Sequence, residues 1–127
     1  MQGRAGGTEV SKPEATGGLL TFRSLDLDET EEAVKASEGQ VYGWAITNLN
    51  DAALYVKFYN ATTATVVVGT TEPVITLAVA AGATNSYVGS HGIEFDTAIT
   101  VACVKEVADN GTTGSDANEC VVNVFYF

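Results

Sequence analysis

Apolar and polar positions alternate with a period of two along two central stretches. Tyr42, Trp44 and Ile46 share one face of Gln40–Asn48, and Leu54, Val56 and Phe58 oppose Tyr55, Lys57 and Tyr59 in Leu54–Asn60. That repeat is the mark of a strand with one face buried. Shorter runs of the same kind occur at Leu19–Leu27, Ala33–Ser37, Thr65–Val68, Val74–Val79, Ser86–Val88, Ala98–Lys105 and Cys120–Tyr126. Turn-forming groups punctuate them: Asn48-Leu49-Asn50-Asp51, Gly69-Thr70-Thr71-Glu72-Pro73, Ala81-Gly82-Ala83-Thr84-Asn85 and Asp109-Asn110-Gly111. Regularly spaced short strands with such turns predict an all-β, antiparallel β-sandwich. Jelly-roll and Ig-like connections both produce this run of strands, so the strand order stays open. Only Glu29–Lys35 has helical character, and it is too short to change the class.

The first eighteen residues differ. Gly3, Gly6, Gly7, Gly17 and Gly18 are spaced by polar residues without apolar periodicity, so Met1–Gly18 is expected as an extended Gly-rich N-terminal arm and residues 19–127 as the sandwich domain. A chain of 127 residues has room for one such domain. Sixteen acidic residues against six basic ones leave a net charge of −10, which repels phosphate and excludes nucleic acid and anionic membranes as natural partners. Met1–Gly7 lacks the apolar core of a secretory signal, and no stretch is apolar enough to span a membrane. The chain is therefore expected to stay in the cytosol where it is made, or to be packaged there.

Several motifs invite a chemical reading. Asp26-Leu27-Asp28-Glu29-Thr30 spells D-x-D-x-T, the loop of phosphatases that attack phosphate with an aspartate. That chemistry needs a parallel α/β sheet and a lysine to support the loop, and the strand pattern offers neither. Calcium ligation by Asp26, Asp28 and Glu31 or Glu32 fails on spacing, since Glu31 stands where the loop needs glycine and Ser37 where it needs glutamate. An acidic loop between strands accounts for the run. His91, in Gly89-Ser90-His91-Gly92, has no recognisable nucleophile to serve and reads as a turn histidine. Gly69–Pro73 lacks the lysine of a phosphate loop. No catalytic residue, cofactor or metal is expected.

Cys103 and Cys120 with a single histidine are too few ligands for zinc. They read either as buried free thiols or, if Val101–Lys105 and Cys120–Val124 pair as a hairpin centred near Gly111 and Thr112, as a cross-strand bridge. Asn60-Ala61-Thr62 and Asn110-Gly111-Thr112 are glycosylation sequons without meaning unless the chain is secreted. The aromatics are more numerous than one face per strand can bury. Tyr55, Lys57 and Tyr59 then form an intersubunit contact or a carbohydrate platform, or are themselves the core face with Leu54, Val56 and Phe58 turned outward.

A resemblance narrows the field. Residues 22–127 resemble a small domain common among virion proteins of tailed bacteriophages. The likeness is carried by Arg23–Lys35, Val41-Tyr42-Gly43-Trp44, Tyr55-Val56-Lys57-Phe58-Tyr59-Asn60-Ala61-Thr62, Val68–Val74, Ala98-Ile99-Thr100-Val101 and Val121-Val122-Asn123-Val124-Phe125-Tyr126. Cys103 and Cys120 depart from it, standing where small or apolar residues are usual. The resemblance implies a β-sandwich or jelly-roll domain that sits on virions, as a head decoration (cement) protein or as a module of a fibre; the first expectation is a capsid decoration (cement) protein on the outer capsid surface of the virion. Its partners would be the major capsid protein and further copies of itself, as a homotrimer fitted to threefold positions. The arm would order across neighbouring subunits, anchored by Leu19, Leu20 and Phe22. Arg23, Asp26, Asp28, Glu29, Trp44, Tyr55 and Tyr59 complete the expected partner interface. The rival expectation is a virion fibre or adhesion module in which Trp44, Tyr55 and Tyr59 stack on host-surface glycans.

Overall fold

In a computed structural model the described residues are 18–127, so the expected arm lies outside them except for Gly18. Eight strands follow: β1 (Leu20–Ser24), β2 (Glu32–Lys35), β3 (Gly39–Asn48), β4 (Leu54–Tyr59), β5 (Ile75–Val79), β6 (Thr84–Phe95), β7 (Ile99–Val104) and β8 (Cys120–Tyr126). No helix occurs among the described residues: Glu29 and Thr30 form a bend, and Glu32–Lys35 is β2 itself. Thr65–Val68, expected as a strand, is part of a turn in which the amides of Thr65 and Val66 both bond to the Thr62 carbonyl at 3.0 Å. Its valines serve a covering loop, and a run of β-branched residues cannot reveal that by itself.

The strands form two antiparallel sheets, ordered β1-β8-β3-β6 and β2-β7-β4-β5. Pairing is nested: β4 with β5, β3 with β6, β2 with β7 and β1 with β8. Such nesting arises when one long hairpin, with its tip between β4 and β5, is wrapped so that alternate pairs fall into opposite sheets. It is the jelly-roll order, and it decides against the Ig-like connection.

The inner faces meet in one core. Leu54, Val56 and Phe58 of β4 oppose Trp44 and Ile46 of β3 and Val122 and Val124 of β8, all buried. Trp44 lies 6.0 Å from Phe58, and Phe58 lies 6.3 Å from Phe95, ring centre to ring centre, a chain of aromatic contacts of about 0.5–1.5 kcal/mol each beyond burial. Period two is broken once in β3. The register shifts between Val41 and Gly43, so Val41 and Trp44 both face the core while Tyr42 leaves it and its hydroxyl donates to Gln40 Oε1 at 2.8 Å. Tyr42 therefore does not share the face of Trp44 and Ile46, because a bulge inserts one residue between them.

The turn after β3 is held by buried amides. Asn48 Nδ2 donates to the carbonyls of Ala52 and Val79, both at 2.9 Å, and its Oδ1 accepts from the Asn50 amide at 2.7 Å. These bonds tie β3, β5 and the β3–β4 turn together at one end of the sandwich.

Candidate interaction face

The two outer faces of the sandwich meet different fates. Over β2-β7-β4-β5, the connections 60–74 and 105–119 close down. Val66 and the half-buried Ala61 and Val68 pack on fully buried Tyr59 and Ala102. Thr100 Oγ1 donates to the Ala61 carbonyl at 2.6 Å, and the buried Lys57 ammonium donates to the Ala108 carbonyl. Gly69, at φ 92°, joins the two connections so closely that a Cβ there would meet Thr112 Cγ2 at 2.3 Å. Only glycine takes that backbone conformation without strain and leaves that space.

This arrangement answers the question left open for β4. Leu54, Val56 and Phe58 are the core face; Tyr55, Lys57 and Tyr59 point the other way. Tyr59 is nevertheless wholly buried, and Tyr55 is half-buried. Trp44 is buried on the inner side, its Nε1 donating to Asn85 Oδ1 at 3.1 Å. Trp44 and Tyr59 are thus corrected from interface residues to interior ones. The 60–74 connection, which follows Tyr59 directly, folds back over it, and β4 packs opposite Trp44, so neither ring offers a stacking surface. Tyr87, 46 % exposed, leans on Trp44 with ring centres 5.1 Å apart.

The outer face of β1-β8-β3-β6 has no covering loop among the described residues. Register places Thr21, Phe125, Gly43 and Val88 in one row across the four strands, and Arg23, Asn123, Ala45 and Ser86 in the next. Val121, Thr47 and Thr84 form a third, where the two threonine hydroxyls bond at 2.9 Å. Arg23 is the one charged residue in these rows, and Val88 is the most exposed large hydrophobic of the described residues, at 71 %. Beyond the β3 bulge the same face carries Glu94, opposite Gln40, and most other acidic residues lie elsewhere. Asp26, Asp28, Glu29 and Glu31 follow β1, Asp51 follows β3, and Glu106, Asp109, Asp116 and Glu119 follow β7. Antiparallel pairing brings all three connections to the same end of the sandwich.

The predicted interface residues divide accordingly. Arg23 lies on the open face; Leu19 and Leu20 are exposed at its margin, and Phe22 turns inward against the core. Asp26, Asp28 and Glu29 belong to the acidic end. Asp26 Oδ1 accepts from the Asn118 amide at 2.7 Å, and Asp28 Oδ1 accepts from the Thr30 amide at 2.9 Å. The D-x-D-x-T run is therefore a hydrogen-bonded turn. Face residues Val88, Ala45, Ser86 and Phe125 were missed by sequence reasoning, because alternation marks two faces without saying which will be roofed.

Electrostatic shifts follow local contacts. Burial raises the Tyr59 phenol above its ordinary value, with Asp109 and Glu31 adding to the effect. Hydrogen bonds from Asn60 and then Thr97 hold Asp96 below the usual carboxylate range, and Lys105, bonded to Asp116 at 3.2 Å, does the same there. Asn60 Oδ1 also accepts from the Thr97 amide at 2.9 Å, so this sequon asparagine anchors the β6–β7 turn. His91 sits in a segment looped out of β6: Val88 pairs with Gly43 and Ile93 with Val41, leaving Gly89–Gly92 opposite Tyr42 alone. Its Nδ1 lies 3.1 Å from Ser90 Oγ, and both residues are exposed. Among the described residues no group of three or more His, Cys, Asp or Glu side chains is placed to hold a metal ion.

Compared with protein-family profiles, curated proteins and solved structures, the chain matches none. The geometry of its own faces and ends therefore carries the functional reading.

Proposed function

We propose that this chain is a non-catalytic decoration (cement) protein of a phage head, docking on the outer capsid surface through the open face of β1-β8-β3-β6. One observation carries the reading: in a chain with sixteen acidic residues, the three central rows of this four-stranded face hold a single charge, Arg23, and Glu94 of the same face stands apart from them, beyond the β3 bulge. Burying a charge without a partner is costly, and interface centres are correspondingly poor in charged residues. The acidic end stays in water, where like charge keeps a shell of many copies soluble. The resemblance to tailed-phage virion domains supports the choice of the major capsid protein as partner and of a homotrimer bridging its subunits, with neither nucleic acid nor membrane involved. Burial of Trp44 and Tyr59 weighs against the glycan-adhesion rival, which relied on both rings.

The test is retention of the purified protein on heads lacking it, set beside retention on host cells. Val88 and Ser86 are exposed and point outward, so the double change Val88→Glu, Ser86→Glu is expected to leave the unfolding midpoint in place and lower retention on heads at least about tenfold. Retention on cells alone would overturn the proposal in favour of the adhesion module.

A further inference from the structure

We propose that Cys103 and Cys120 are a paired modification site that closes an intersheet disulfide when the protein meets a small-molecule disulfide oxidant. The hairpin that would have set them side by side does not form. Cys103 is on β7, opposite Val56 of β4, whereas Cys120 is on β8, opposite Asn48 of β3, in the other sheet. What brings them together is the β1–β2 connection, which crosses between the sheets at this point. The Leu27 amide donates to the Cys120 carbonyl at 3.2 Å, and the Cys103 amide donates to the Asp28 carbonyl at 2.8 Å. Two consecutive residues thus hold the two cysteine backbones, one on either side.

Both cysteines are free, fully buried and part of the same apolar cluster. Their thiols interact with each other across that cluster, and the Ser115 side chain is close to Cys103. A disulfide needs the two sulfurs to come to about 2.05 Å of each other, and rotation of the two side chains within their shared cluster is the movement that brings them there. The site is also close to an exit. Cys120 opens β8 and Cys103 is the penultimate residue of β7, so both lie at the loop-rich end rather than mid-sandwich. The connection 105–119 covers them, fastened there by Ser115 Oγ donating to the Leu27 carbonyl and by an isolated bridge between Val104 and Gly114. Local opening of a loop needs far less free energy than unfolding of the sheets, and it would admit a reagent.

The two thiols have different roles. The hydrogen bond from Cys120 lowers the Cys103 thiol from its ordinary value, while the same bond and burial push Cys120 upward. Cys103 is therefore the attacking thiolate. With oxidised glutathione, Cys103 sulfur attacks one sulfur of the reagent. The reagent's S–S bond breaks, and one glutathione leaves, taking up a proton. Cys120 then loses its proton and attacks Cys103 sulfur; the mixed disulfide breaks, and the second glutathione leaves protonated. Two electrons pass from the cysteines to the reagent, and two protons end on the two glutathione thiols.

The experiment treats the full chain with oxidised glutathione, blocks residual thiols under denaturing conditions and measures intact mass beside thermal unfolding. The expected product is a monomer lighter by two hydrogens, without blocked thiols, whose unfolding midpoint lies about 10 °C above that of the reduced protein. Cys120→Ser is expected to stop at a glutathione adduct on Cys103 with no such gain. Two blockable thiols after treatment, a disulfide-linked dimer, or wild-type protein halted at the glutathione adduct would each overturn the proposal.

Discussion

Tyr59 brings a hydroxyl into a place that has no use for it. The ring is fully buried beneath Val66, and its Oη has no hydrogen-bond partner among the described residues. A polar group left unpaired in the interior opposes folding. Tyr59→Phe keeps the ring and removes the oxygen, so it is expected to stabilise the fold by about 1 kcal/mol, read from the urea midpoint at neutral pH. The same residue carries an alkaline signature. Its phenol is raised in the folded state, so the folded chain holds this proton after the unfolded chain has begun to release it near pH ~10. Its contribution is present below that pH and declines as pH rises toward the folded value. The fall in urea midpoint between neutral pH and about pH 11 is therefore expected to be shallower in Tyr59→Phe than in wild type.

At the scale of elements, the bulge in β3 decides how two sheets and an edge strand fit. Gly43 stands where β3 is pressed against β6, and a Cβ there would lie 2.2 Å from the Tyr87 carbonyl oxygen and 3.0 Å from Val88 Cα. Backbone cannot yield as the end of a flexible side chain does. Gly43→Ala is expected to force β6 away from β3 and to destabilise the chain by roughly 2–3 kcal/mol, measured by chemical denaturation. The position of β3 itself was legible, because Gln40–Asn48 alternates clearly; the bulge was not, because one extra residue leaves no mark in composition. The long β6 was seen only as Ser86–Val88, since the looped-out Gly89–Gly92 reads as a turn.

The described part of the molecule is polarised in two senses, with one sheet face roofed and the other open, and with most of its acidic residues at the end where the β1–β2, β3–β4 and β7–β8 connections meet. An object of this shape can dock by its open face while its acidic end keeps copies apart. The proposed trimer is checked by light scattering behind size exclusion on the full chain, where the mass of three copies is expected at low and at moderate salt. A trimer held by apolar contacts would be little affected by screening, whereas one held by exposed ion pairs would weaken. A monomer under both conditions would instead leave the capsid as the template for any assembly.

The all-β class and the positions of most strands were determined by the sequence alone, because period-two alternation and turn chemistry act over a few residues; which face of β4 turns inward was not. The nested order of the sheets, the roof over Lys57 and Tyr59, and the meeting of Cys103 with Cys120 were decided only by tertiary structure. Each depends on segments far apart in the chain. Cys120 is brought to Cys103 by Leu27 and Asp28, and Gly69 to Thr112 by two separate connections. No local pattern encodes such meetings: a strand's two faces are equivalent until its neighbours in the sheet, and the loops above them, are in place.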